Sequence, residues 1–308
     1  MKRWAYRAFL SSILGLSLIA SACGSSGGGS PSSNQSKGSV TVAGFNFSES
    51  SILAYIYGKA LAGDGYTVTY KVNLGNREVV EPALEKGDID MYAGYAATDL
   101  EFINGGKGEA SGDAKATTDK LNTYLQPKGL KALTPSPALD ANAFAVTKAT
   151  ASKYNLKTLS DLGKVASNLT LGGPPECATR PFCQPGLEKV YGAKFKAFKS
   201  LDADGPLTRA ALANGDIDVG LVFSSDGDLG VRNLVVLEDD KHLENADNVV
   251  PIVRPKAVSS DAQSLLDRVS AKLTTTDLMN MNKSADIDHQ DPDALAAGWL
   301  KDHGFKAA

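Results

Sequence analysis

Two segments in different halves of the chain share one pattern, ALEKGDIDMYAGYAATD at 83–99 and ALANGDIDVGLVFSSD at 211–226. Each has Ala-Leu, two variable residues and Gly-Asp-Ile-Asp, and each places an aromatic eight residues after its glycine, Tyr95 and Phe223. The glycine suits the left-handed position that ends a helix, and the apolar residues after it suit a strand. A helix-to-strand unit used once per half restricts the fold more than any local propensity does. It predicts two similar α/β lobes. Open α/β sheets bind ligands beyond the carboxyl ends of their strands, so Tyr95 and Phe223 would face one cleft from two sides.

The surrounding patterns agree. SVTVAGF at 39–45 alternates as a strand, and NFSESS supplies Ser and Glu for a helix start. Ile52, Leu53, Ile56, Ala60 and Leu61 then keep helical spacing until AGDG interrupts. YTVTYKVNL reads as the next strand and 77–86 as the next helix, so the chain opens β-α-β-α. Linkers are expected around 141–145 and 242–248, dividing the body into lobe 1 (39–143 plus 247–308) and lobe 2 (144–246). The segment from Val249 returns to lobe 1, and two crossings form a hinge that closes around a ligand.

The N-terminus reads as an address. MKRWAYR is basic, the run to Ala22 is apolar or small, and IASAC ends on a cysteine. Residues 1–22 are therefore a secretory signal that resembles a bacterial lipobox, with Ala20 where leucine is usual and Cys23 as the expected lipid-bearing residue. Residues 23–38 contain no large apolar side chain after the cysteine, cannot offset the entropy of ordering, and read as a lipidated flexible tether. The membrane is thus expected to hold the protein through its lipid.

A composition 43% hydrophobic and 22% charged, with net charge -3 and both signs interspersed, predicts a soluble body and no nucleic-acid partner. His242, His289 and His303 have no ligand spacing, and no phosphate loop or dinucleotide fingerprint follows a strand. No metal, cofactor or catalytic residue is predicted, and the carboxylates read as surface charges or caps. Aromatic side chains instead gather at loops expected to line the cleft: Phe45, Phe47, Tyr95, Phe182 and Phe223, of which Phe47 is expected in the core. A cation without N–H donors is best held by aromatic faces, each contributing about 0.5–2 kcal/mol.

NFSESSILAYIYGKAL, NLGNREVVEPALEKGDID, YAATDL, LTPSPALDANAFAV, GGPPECATRPFCQPGLEKVYG and VFSSDGDL occur in that order. In them the chain resembles the substrate-binding proteins of glycine betaine, choline and related osmoprotectant ABC importers. The resemblance implies a type II periplasmic-binding-protein fold, an extracytoplasmic monomer, a quaternary-ammonium ligand and an ABC permease as partner. It also implies a cage that includes Tyr95 and Phe223, with Phe45 and Asn46 after the first strand and a polar contact from Thr98. Glu176, Arg180 and Phe182 match a second-lobe binding loop, in which Arg180 either touches the ligand or orders the lobes. Phe45 stands where some members have Lys, and Phe223 where Tyr is frequent. A cleft with few fixed charges is therefore expected, suited to choline or a neutral ring compound at least as well as to a betaine. A receptor for another small solute and a ligand-sensing domain are the alternatives.

With Cys23 set aside, Cys177 and Cys183 are an even pair in an oxidising compartment. No further Cys or His lies near them for a metal, and five intervening residues exceed the usual two of a redox pair. A disulfide that braces the loop between them is the remaining reading.

Overall fold

The computed structural model describes residues 36–227 and 233–308; the signal segment, Cys23 and most of the tether lie outside the described residues. The first sheet is built from β1 (Ser39–Ala43), β2 (Thr67–Lys71), β3 (Met91–Tyr95) and β4 (Lys131–Ala132), with α1 (Ser48–Gly63), α2 (Arg77–Lys86), α3 (Ala96–Asn104) and α4 (Ala114–Leu125) between them. The second contains β5 (Asn142–Thr147), β6 (Thr170–Gly173), β7 (Ala197–Ser200), β8 (Val219–Phe223) and β9 (Leu234–Val236). Its helices are α5 (Lys148–Tyr154), α6 (Leu159–Val165), α7 (Gln184–Tyr191) and α8 (Pro206–Asn214). The chain then returns to the first sheet through β10 (Val249–Val253), and α9 (Ser260–Ser270), α10 (Thr275–Asp286) and α11 (Pro292–Asp302) follow.

The strand orders are β2-β1-β3-β10-β4 and β7-β6-β8-β5-β9. In each, three parallel strands are followed by an antiparallel one, β10 against β3 and β5 against β8. The repeated sequence therefore marks equivalent central strands of two similar lobes. α2 and α8 end on Gly87 and Gly215 at φ 87° and 74°, a conformation that side chains with a Cβ resist. The second aspartate of each repeat does the same work in both lobes. Asp90 accepts the Thr41 amide of β1 at 2.9 Å, and Asp218 accepts the Thr170 amide of β6 at 2.9 Å. Each ties its central strand to the neighbour.

β3 and β10 are buried along their whole length, as strands covered on both faces must be. Separate apolar cores lie under the two sheets. The first crossing enters β5 at Asn142, slightly ahead of the expected lobe boundary, and the second ends at β10. A single bridge between Leu139 and Asn248 runs the two crossings side by side. β3 and β8 therefore aim their carboxyl ends at the space between the lobes, with Tyr95 and Phe223 as their last residues. Among the described residues no helix is long and apolar enough to cross a membrane.

Candidate functional site

A cavity of about 330 Å³ lies where the strand ends of both lobes meet. Phe45, Asn46, Tyr95, Thr98, Glu176, Arg180, Phe182 and Phe223 all line it, so residues far apart in the chain come to one wall. Phe47, expected in the core, is only half buried and also lines the cavity. Its ring stands 6.2 Å from Tyr95 and 5.2 Å from Phe223, which makes it the aromatic link between the lobes. Phe45 continues the wall, 5.9 Å from Phe47 and 6.4 Å from Tyr95. The Arg77 guanidinium sits 4.9 Å from the Phe45 ring centre, so one side of that ring already carries a cation.

The polar frame behind the wall is dense. Asp99, at the start of α3, accepts Arg77 Nε at 2.6 Å, the Tyr95 amide at 2.7 Å and the Tyr92 hydroxyl at 3.1 Å. The Tyr95 hydroxyl points away from the ring wall and donates to Glu49 Oε1 at 2.7 Å. Glu49 Oε2 accepts Ser225 Oγ at 2.6 Å from the second lobe and Asn282 Nδ2 at 2.7 Å from α10. The Ser and Glu of NFSESS are thus not caps. α1 starts there without a side-chain cap, Ser50 Oγ accepts the Phe45 amide at 2.7 Å, and Glu49 enters the lobe interface. Burial pushes the Glu49 carboxyl above its ordinary value against these hydrogen bonds. Thr98 gives both its amide and its hydroxyl to Asp247, so its polar atoms tie the second crossing to α3. Burial holds the Asp247 carboxyl up at about 6, the Thr98 bonds opposing it.

The second-lobe loop is braced as its cysteines suggest. A disulfide joins Cys177 to Cys183, which sits at the N-terminus of α7. Between them Arg180 reaches across the cleft to Glu78 of α2, its terminal nitrogen 2.8 Å and 3.0 Å from the two carboxylate oxygens. Arg180 thus makes an ion pair across the cleft and also lines the cavity. Asn142 Nδ2 donates to the Phe182 carbonyl at 2.7 Å and fixes the other end of the loop. Arg209 also spans the lobes, from α8 to Asp286 of α10 at 3.3 Å.

The cleft departs from the expected low charge. Five carboxylates line it (Glu78, Glu101, Asp140, Glu176 and Asp247) beside two guanidinium groups, Arg77 and Arg180. Both arginines are engaged by carboxylates, Asp99 and Glu78. Apart from Glu176, the sequence marks the acidic residues as surface charges or caps. Glu49, Asp99, Asp140 and Asp247 are instead at most 4% exposed. The only sequence signal for them was their place directly beside the strand ends and crossings, because their partners come from distant segments.

The comparisons with known proteins agree with this geometry. The chain is 27% identical over 275 residues to the glycine-betaine-binding protein of Pseudomonas aeruginosa, covering 86% of this chain and 88% of that one. It is 28% identical over 305 residues to the carnitine transport binding protein OpuCC of Listeria monocytogenes, covering 95% and 94%. A crystal structure of a glycine betaine/carnitine/choline ABC transporter superposes with a TM-score of 0.66 at 26% identity, over 86% of this chain and 98% of that one. The two-lobed fold is that of type II periplasmic-binding proteins. With residues 38–302 matched, the chain belongs to the family of the substrate-binding domain of the ABC-type glycine betaine transport system.

Proposed function

We propose that the chain captures a small quaternary-ammonium solute between its lobes, outside the cytoplasm, and delivers it to an ABC permease. The observation that carries this reading is the aromatic wall from both lobes, Phe45, Phe47 and Tyr95 from one and Phe223 from the other, on a cavity whose own cations are already paired. Such a wall attracts a cation that cannot hydrogen-bond, and closure lets both lobes contribute. Glycine betaine and carnitine, in the names of the relatives, are both quaternary-ammonium compounds, which supports the class. Phe182, Glu176 and Asn46 complete the proposed contact set, with Thr98 and Arg180 acting through the hinge and the lobe interface. The hinge is assigned to the two crossings, and the body works as a monomer anchored through Cys23 and the tether.

Calorimetric titration of residues 36–308 with choline, glycine betaine, carnitine, proline betaine and neutral aromatic compounds tests the reading. At least one quaternary amine should bind with Kd below about 1 mM, or about -4 kcal/mol. Binding confined to neutral compounds refutes it. For the anchor, Cys23→Ser should move the protein from the membrane fraction to the soluble one, and unchanged fractionation refutes the lipid.

A further inference from the structure

We propose that Asp140 is the counter-ion which a cationic ligand meets in this cavity, and that binding expels a proton from the Asp140–Glu49 pair, so that the site prefers net cations to zwitterions. The inference rests on the quaternary-ammonium reading and adds to it the charge that the site selects.

Asp140 closes the first crossing, is 4% exposed and lines the cavity. Glu49 lies behind the aromatic wall at 3% exposure. Ser225 joins the two carboxylates: its amide donates to Asp140 Oδ1 at 3.2 Å and its hydroxyl to Glu49 Oε2 at 2.6 Å. The groups facing this pair come from every neighbouring element. β3 supplies the Tyr95 hydroxyl and α10 the Asn282 amide, both donors to Glu49. The second crossing supplies only acids, Asp247 and Glu244, whose charges act on Asp140 and on each other. Both Glu244 carboxylate oxygens are buried without a hydrogen-bond partner. The guanidinium of Arg77 on α2 is held by Asp99, and that of Arg209 on α8, which lines a second cavity with Glu49, is held by Asp286. Among the described residues, neither Asp140 nor Glu49 has an ion pair.

Buried carboxylates that share a donor and lack a cation cannot both ionise at ordinary cost. Burial first, and the Glu49 charge second, hold the Asp140 carboxyl well above its ordinary value. An arriving ammonium supplies the missing positive charge. The carboxylic acid then gives its proton to solvent, and the products are a carboxylate paired with the ligand cation and one free proton. A zwitterion brings its own carboxylate towards Asp140, Asp247 and Glu176, and so gains less from the same exchange.

The test is calorimetry of the wild type with choline and with glycine betaine across about pH 5 to 8, in two buffers of different ionisation enthalpy, and the same titrations of Asp140→Asn. Choline should bind with release of up to about one proton, its affinity rising by up to about tenfold per pH unit on the acid side. Asp140→Asn, checked for folding by circular dichroism, should lose the buffer dependence. It should weaken choline at least about tenfold and glycine betaine less than about threefold. Choline binding by the wild type with buffer-independent heat and a flat pH profile overturns the proposal, whether or not the variant folds. So does a folded variant that binds choline like the wild type; in either case the quaternary-ammonium reading stands. Failure of the wild type to bind any quaternary amine overturns that reading and this inference together.

Discussion

Tyr95→Phe separates what the aromatic wall needs from what the lobe interface needs. The substitution keeps the ring and removes only the hydroxyl, which donates to Glu49 Oε1 at 2.7 Å. Tyr95 is 5% exposed and Glu49 3%, so water has little access to replace the lost donor. Glu49 Oε2 keeps Ser225 and Asn282, while Oε1 is left without that hydrogen bond inside the protein. An unsatisfied buried acceptor costs about 1–3 kcal/mol. For a body of this size that lowers the melting temperature by roughly 2–8 °C. Ligand affinity should change by less than about threefold, since the ring face that meets a cation is intact. Thermal unfolding by circular dichroism and calorimetric titration of the same preparation read the two quantities separately. A variant as stable as the wild type that binds more than about tenfold more weakly refutes the assignment, because the hydroxyl would then be serving the ligand.

Three further outcomes are expected. The Arg180–Glu78 bridge joins side chains 23% and 43% exposed, so a double-mutant cycle with Arg180→Ala and Glu78→Ala should give a coupling of only about 0.5–1 kcal/mol in ligand affinity. That coupling should shrink as salt rises, and a coupling of zero at low salt refutes a role for this ion pair in binding. Cys177→Ser with Cys183→Ser removes a short closed loop, a loss of about 2–3 kcal/mol by chain entropy, and ligand affinity should fall while the protein is still folded; unaltered affinity contradicts the bracing role. Glu81, 4% exposed, is pushed up to about 7 by burial first and by Glu85 next. A raised acid keeps in the folded state a proton that the unfolded chain has lost, so stability drains away as pH rises from about 4.5 to about 7, by roughly 1–3 kcal/mol. Glu81→Gln should flatten that part of the urea-unfolding pH profile, and an unchanged slope refutes it.

The sequence carried the architecture wherever the signal was local or repeated. α2 occupies 77–86 as its spacing predicts, and Gly87 and Gly215 take the left-handed turn that the repeat requires. Tyr95 and Phe223 end equivalent strands because their distance from those glycines is the length of a turn and a strand. The polar frame was illegible for the opposite reason. Glu49 meets Ser225 and Asn282, and Thr98 meets Asp247, across separations that no window of sequence contains. Asp99 and Asp140 look like any acidic turn residue until the crossings bury them. Phe47 illustrates the middle case: its apolar character was plain, but only the approach of the second lobe decides that its ring is wall and not core.

The placement of β10 between β3 and β4 also has a bearing on how the chain is made. β3 and β4 do not pair with each other, so the first sheet stays split until residues near Val249 have been synthesised. α1 waits longer still, since it is approached so closely by the C-terminal segment that a Cβ on Gly63 would lie 2.4 Å from the Lys306 carbonyl. Strands β5 to β9 form one continuous stretch and can assemble as they emerge. The half of the molecule that begins first therefore finishes last. A nascent chain of this topology remains unable to close its leading lobe for most of its synthesis, so that lobe stays unfinished while the second is already complete.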